Sequence, residues 1–445
     1  MINMNLHQLN AIIGGTLIGK PIHFRGISTD SRKDCTGTLF VALKGENFNG
    51  ENYCQQAINN GAIAVLVSVA QDINIPQIIC DDSLQALSVL AKNWANQCQA
   101  KVIAITGSNG KTTVKNMIHA ILSVSHKCMA TRGNLNNDIG VPLSLCEIHP
   151  TDEYAIIEMG AAQLGDISKL VSLVNIDVAV LTNVSAAHIG RFGSLTNIIN
   201  EKAQIFSRLD KTKIAILPID DENFNKWKDS ANCQINSFGI SNQADVQITD
   251  EIDFTISIED NAIKNIKLPV AGRHNQINAS CAAAIAHCCT VSAIDIKQGL
   301  ENFKPEGGRL ENMGTVNGNI LINDSYNANP QSMMSAIDVL ADHDRPTTLI
   351  AGDMAELGTY SQQLHEAIGS YAKQKKITNL LSIGHDSVHA SRAFSGNPQH
   401  FNDISTLKNY LLKNWRQLGT ILVKGSRSMH LEDLINGLID SERVA

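Results

Sequence analysis

The residues most able to do chemistry stand together in Thr106-Gly107-Ser108-Asn109-Gly110-Lys111-Thr112-Thr113. An apolar run, Val102 to Ile105, comes before them, and Val114, Met117, Ile118, Ile121 and Leu122 follow at helical spacing. Strand, glycine loop and helix are thus in the order that cradles a phosphate. Main-chain N–H groups of Gly107, Ser108, Asn109, Gly110 and Thr113 would converge on phosphate oxygens, and the helix start adds partial positive charge. Lys111 would reach the outer phosphates, and the Thr112 hydroxyl would ligate Mg2+. One feature departs from the commonest pattern: Ile105 stands where a glycine is usual, five places before Gly110. ATP binding is the expectation.

Transfer chemistry needs acids and bases near those phosphates. In open α/β sheets ligands lie beyond the carboxyl ends of strands, so polar residues that end apolar runs are informative. Glu158 ends Tyr154-Ala155-Ile156-Ile157, and His188 follows Val178 to Leu181 across a short loop. Carboxylate and imidazole, with Thr112, make a mixed ligand set for Mg2+ and its waters. Taken singly, Glu158 reads as a capping carboxylate and His188 as a hydrogen-bonded structural histidine; their place beside a phosphate loop favours function. Lys202 falls in a helical stretch where Ile198, Ile199, Ala203 and Phe206 face inward, and on its own reads as a solvated lysine.

The elements that must position these groups fall into three series. Short apolar runs at Leu39 to Leu43, Ala62 to Val67 and Pro76 to Ile79 suit the strands of a small α/β domain. A helix carrying Leu84, Leu87, Leu90, Ala91 and Trp94 follows, then a polar stretch from Asn96 to Lys101. Buried parallel strands then alternate with helices at Val102 to Ile105, Tyr154 to Ile157, Val178 to Leu181 and Ile214 to Leu217, the rhythm of a doubly wound domain. A second alternation after Gly307-Gly308, at Ile320 to Ile322, Thr348 to Ala351, Leu380 to Ile383 and Ile421 to Val423, has a Rossmann-like plan. The expected fold is α/β in three domains, residues 1–98, 99–310 and 311–445, with the phosphate loop in the second. A length of 445 residues and 43% apolar content allow about three domains of roughly 150 residues.

Composition excludes several classes. A net charge of -7, with no long Lys/Arg block, leaves no footprint for a nucleic-acid backbone or an anionic membrane. The ten cysteines are scattered without zinc spacing, which suits reduced thiols in a cytoplasmic protein. The opening MINMNLHQLNAIIGG lacks the basic and apolar regions of a signal peptide, and no run approaches the ~18 apolar residues of a membrane span.

Further motifs carry a resemblance. They are Ser28-Thr29-Asp30-Ser31-Arg32, Leu39 to Gly45, Gly133 to Gly140, Ala186-Ala187-His188, Gly272-Arg273-His274-Asn275 and Gly308-Arg309. Asp324 to Pro330, Gly352 to Gly358 and Lys424-Gly425-Ser426-Arg427 continue the series in the third domain. In this order, and over nearly the whole chain, they resemble the Mur ligases of bacterial peptidoglycan synthesis. Within that family the pattern is similar to members that join D-alanyl-D-alanine to UDP-N-acetylmuramoyl-tripeptide. The Asp-Asn-Pro-Arg element of the sister ligase that adds the third peptide residue is absent.

The resemblance implies a UDP-binding N-terminal domain, a central ATPase-like domain and a C-terminal domain that closes over the site. It implies that the tripeptide carboxylate takes the γ-phosphoryl group of ATP to give an acyl phosphate, which the dipeptide amine then attacks. Lys202 would be a carbamylated lysine holding a second Mg2+. Asn275 would contact the adenine side of ATP, and Arg309 and Asp324 the ribose and phosphates. Ser28, Thr29, Asp30, Ser31, Arg32, Lys44, Gly45 and Phe48 resemble the uridine-diphosphate pocket. Asn134, Asn136, Asn137 and Asp138 resemble the sugar- and peptide-binding strip. Asn327 and Asn329, with the Asp353 to Gly358 and Lys424 to Arg427 loops, would serve the dipeptide. A cytoplasmic monomer is expected. The alternatives are a folylpolyglutamate-type ligase, against which the Ser28 to Arg32 and Leu43-Lys44-Gly45 elements argue, and a regulatory ATPase module.

Overall fold

The computed structural model describes residues 1–45, 48–259, 261–316, 318–396 and 398–443. Its strands form one two-stranded sheet and three larger ones, which occupy successive parts of the chain. In the first large sheet, Ile27–Ser28, Leu39–Val41, Ala64–Val67 and Gln77–Ile79 run parallel, and Thr16–Ile18 closes one edge antiparallel. Asn3–Asn5 and His23–Arg25 pair separately. The helix Ser83–Gln97 starts where the Asp82 side chain accepts from the amides of Leu84 and Gln85, a side-chain N-cap. It buries Leu87, Leu90, Ala91 and Trp94 on one face. Trp94 Nε1 donates to the carbonyl of Ile148 at 2.9 Å, and the amide of Ile2 to that of Cys146 at 2.7 Å. One apolar core therefore runs from the first sheet into the central domain, and these two parts are fused by packing as well as by the chain.

The central sheet has nine strands. Seven are parallel, in the order Val246–Asp250, Gln234–Gly239, Ile214–Pro218, Val178–Leu181, Lys101–Thr106, Tyr154–Glu158 and Cys128–Ala130. Thr255–Ile258 and Asn261–Ile263 extend one edge antiparallel. The chain leaves Lys101–Thr106 to build one side of the sheet, then crosses back to build the other. The order thus reverses beside this strand, which places a ligand crevice at its carboxyl end.

The third sheet begins with the antiparallel pair Glu311–Val316 and Asn319–Asp324, followed by Thr420–Lys424, Thr347–Gly352, Asn379–Ile383 and Gln399–Phe401, all parallel to Asn319–Asp324. It meets the central domain through a shared apolar cluster. Ile189, Phe192 and Ile198 pack there with Met333, Met354 and Leu357. Among the described residues no helix is long and apolar enough to cross a membrane.

Candidate active site

The loop after Lys101–Thr106 is folded by two glycines. Gly107 has φ +149°, and a Cβ there would lie 2.0 Å from Thr182 Oγ1; Gly110 has φ +80°, and a Cβ would lie 2.4 Å from Asn278 Oδ1. Any side chain at either place would collide, so the backbone comes close to its neighbours only because these are glycines. The next strand's end holds the loop. Asn183 accepts from the amides of Ser108 and Asn109 at 2.9 and 3.0 Å, and its Nδ2 donates to Asn109 O at 2.9 Å. Thr182 Oγ1 donates to the same carbonyl at 2.6 Å. Lys111 opens the helix Lys111–Leu122, and its ammonium bends back to Gly107 O at 2.7 Å and Ser108 O at 3.3 Å. Burial lowers its pKa. A cation is thus held over the loop with carbonyls as its partners.

Glu158 ends its strand fully buried. Asn136 Nδ2 donates to Oε1 at 2.7 Å, while Oε2 is buried without a hydrogen-bond partner. Lys115, itself buried, lies 3.8 Å from Oε2 and donates to Gly133 O at 3.2 Å. A lysine one turn beyond the phosphate loop therefore offsets the carboxylate's charge and ties down the Gly133 to Gly140 segment. The sequence reading missed Lys115. Its signal was a charged residue on the inward face of an otherwise apolar helix.

Lys202 corrects the expectation of a solvated lysine: it is 3% exposed. Ile198, Ile199, Ile205 and Phe206 bury their stretch of chain and take Lys202 with them. Burial, reinforced by the charge of Lys111, lowers its pKa from 10.5 to about 7. The adjacent Glu201 is also buried and accepts from the amides of Gly165 and Ile167 at 2.8 and 2.7 Å, which fixes the helix against the opposite wall. His188 begins the short helix Ile189–Phe192, and its Nδ1 meets Glu356 of the third domain. Burial lowers the pKa of His188, against the pull of Glu356.

Thr112, Glu158, His188 and Lys202 line one cleft of about 860 Å³ with the whole glycine loop. Asn275, Arg309, Asp324, Asn327, Asn329 and the strip Asn134, Asn136, Asn137 and Asp138 line it too. Arg309 Nη2 donates to Thr112 Oγ1 at 3.2 Å, its guanidinium lies 4.1 Å from the Tyr326 ring centre, and its Nε is buried without a partner. Asp324 pairs with Lys424 at 2.7 Å. Asn329 caps the helix Pro330–Ala341 and exchanges amide hydrogen bonds with Asn109, at 2.6 and 3.4 Å. An apolar wall of Pro218, Phe238, Ile240, Val270 and Ile277 near Asn275 suits a flat base. Sequence reading missed it because its members come from separated segments: two strand ends, two loops and the helix Arg273–Cys288.

The other predicted group lies elsewhere. Ser28 to Arg32, Lys44, Gly45 and Phe48 do not line the cleft. Ser28 Oγ donates to Asp30 O at 3.1 Å, and Arg32 binds both Asp30 oxygens at 2.8 and 3.0 Å, which holds the Asp30 carboxyl at about 2. Ser31 donates to Gln56 at 2.8 Å. Phe48 is half exposed over Gly45.

Comparison with known proteins agrees with this layout. Residues 23–106 match the model of the Mur ligase family catalytic domain, 105–286 the Mur ligase middle domain, and 308–427 the glutamate ligase domain of Mur ligases. A UDP-N-acetylmuramoyl-tripeptide–D-alanyl-D-alanine ligase of Escherichia coli is 40% identical over 98% of this chain and 99% of its own. Its Haemophilus influenzae counterpart is 36% identical over 99% of each. The crystal structure of MurF from Acinetobacter baumannii superimposes with a TM-score of 0.92 at 32% identity, over 99% of each chain. With a phosphate loop, a strand-end acid and three domains matched from end to end, the chain belongs to the Mur ligase family.

Proposed function

We infer that this protein is the ATP-dependent ligase that joins D-alanyl-D-alanine to UDP-N-acetylmuramoyl-tripeptide in peptidoglycan synthesis, through an acyl phosphate. The observation that carries this reading is one cleft in which the phosphate loop, the buried acid Glu158 and third-domain residues meet. A carboxylate is a poor electrophile and needs activation. Its oxygen attacks the γ-phosphorus, the bond to the β-phosphate oxygen breaks, and ADP leaves. The dipeptide amine then attacks the acyl carbon, and phosphate departs with the bonding electrons.

The residues divide this work. Gly107 to Thr113 bind the phosphates, and Lys111 offsets charge on the transferring group. Arg309, with its unpaired Nε, meets the phosphates from the hinge, and Asp324 the ribose. Asn275 and the apolar wall hold the base. Asn134, Asn136, Asn137 and Asp138 orient the sugar and peptide, while Asn327 and Asn329 face the dipeptide. The uridine diphosphate lies on Ser28 to Arg32, Lys44, Gly45 and Phe48, away from the cleft, which suits a long substrate reaching inward from its anchor.

The donor set suits Mg2+. Glu158 presents a buried oxygen without a hydrogen-bond partner, and Thr112 and His188 line the same cleft. Lys202, with a pKa of about 7, is neutral often enough to react with carbon dioxide, and the carbamate would supply oxygen ligands. Among the described residues no three His, Cys, Asp or Glu side chains cluster closely enough to hold a metal by themselves. Thr112, Glu158 and His188 would hold Mg2+ and carbamylated Lys202 a second Mg2+, which when bound would supply charge neutralisation at the phosphates.

We place the domains at 1–98, 99–310 and 311–445, supported by the three sheets. One chain lines the whole cleft, so a monomer suffices, and the cytoplasm supplies its nucleotide substrates. The folylpolyglutamate-type alternative loses ground because the likeness includes the first hundred residues.

The test is phosphate release by the purified protein with ATP, Mg2+ and UDP-N-acetylmuramoyl-tripeptide, with and without D-alanyl-D-alanine. Sustained release is expected only with both acceptors present. Equal release without the dipeptide would point to a regulatory ATPase.

A further inference from the structure

One contact at the cleft's edge joins two strained residues from different domains. His188 has φ +57° and Glu356 has φ +61°, a left-handed conformation that non-glycine residues hold only when their surroundings enforce it. Glu356 Oε2 meets His188 Nδ1, and Oε1 accepts from Arg191 Nη2 at 2.6 Å. The backbone joins in, with Gly190 N donating to Glu356 O at 2.9 Å. A Cβ on Gly190 would sit 2.7 Å from Gly358 N and 2.8 Å from Glu356 O, so only glycine lets these segments touch.

The Glu356 loop is braced from behind. Ser426 Oγ accepts from Ala355 N at 2.7 Å, and Asp353 O accepts from Ser426 N at 2.9 Å. The ring of buried His365 accepts from Met354 N at 3.0 Å. Met354 and Leu357 bury in the apolar cluster that holds Ile189 and Phe192.

A carboxylate on Nδ1 fixes a histidine's ring and tautomer and leaves Nε2 as the free lone pair, the arrangement found behind metal-bound imidazoles. We propose that Glu356 is a positioning residue for ligation: delivered by the third domain, it orients His188, so that the central domain's metal-holding set is complete only when the third domain is docked. This rests on the reading of His188 as one of the residues that would hold Mg2+.

The test uses the full chain and calorimetric titration of a non-hydrolysable ATP analogue, with Mg2+ and with a chelator. Glu356→Asn tolerates the left-handed backbone but is one methylene too short and uncharged. It is expected to weaken the Mg2+-dependent affinity by about 10–100-fold, with the chelated affinity unchanged. Glu356→Gln, which keeps an acceptor at full reach, is expected to recover part of the loss. Equal loss with and without Mg2+ would mean a merely structural contact and would overturn the proposal. So would a normal Glu356→Asn beside a His188→Ala that loses Mg2+-dependent affinity. If His188→Ala itself binds normally, the assignment of His188 fails, and the proposal falls with it.

Discussion

The site depends on three lysines whose environments give them different tasks. Lys111 is held over the glycine loop by carbonyls that a triphosphate would displace. Lys111→Ala should lower ligation by at least about 10²-fold, the scale for removing one donor to developing charge, read as phosphate release at saturating substrates. Lys115 balances a buried carboxylate. Lys115→Met leaves Glu158 uncompensated and should cost about 3–5 kcal/mol, measurable in a denaturant melt; a loss below about 1 kcal/mol would show that the pair contributes little.

Lys202 makes the opposite prediction. Its folded pKa of about 7 lies below the usual 10.5, so between those values the unfolded chain binds more protons than the native one. Stability therefore rises with pH across that window, and the penalty for burying the ammonium is fully present below about 7. Lys202→Met should be more stable than the parent at pH 6, with the advantage fading towards pH 10. Melts at a series of pH values decide this, and a pH-independent difference would contradict it.

Among the elements, the turn from Lys101–Thr106 into Lys111–Leu122 is the most tightly specified. Its backbone depends on Gly110, where positive φ and the closeness of Asn278 coincide. Gly110→Ala should cost about 1–3 kcal/mol of stability and weaken nucleotide binding in a calorimetric titration. Near-normal affinity would mean that Asn278 moves aside freely. The neighbouring strand end matters as much, because Thr182 and Asn183 hold the loop's shape.

At the scale of the whole molecule, the first and central domains share a core, whereas the third meets them mainly through one apolar cluster and a few polar contacts. One of those contacts touches the nucleotide loop directly, Asn329 with Asn109, and Arg309 at the hinge reaches Thr112. A nucleotide that changes this contact changes third-domain docking by the same free energy with which docking changes nucleotide affinity. Gly190→Ala tests the docking without altering a side chain of the site. The added methyl should push the third domain outward, giving a larger radius in small-angle scattering and about 10²-fold slower ligation, the scale for an ångström of misplacement. An unchanged radius with full activity would show that the domains accommodate it.

Much of this protein was legible from its sequence because the relevant physics is local. The glycine loop, the strand before it and the helix after it are adjacent in the chain, and the apolar alternation around Tyr154 to Ile157, Val178 to Leu181 and Thr348 to Ala351 set the α/β plan. What only the tertiary structure decided is long-range. The burial of Lys202, the pairing of Lys115 with Glu158, the apolar wall of the cleft and the clasp of Glu356 on His188 each depend on segments distant in sequence. Desolvation and partner charge change what a lysine or histidine can do, and they exist only once those segments are packed together.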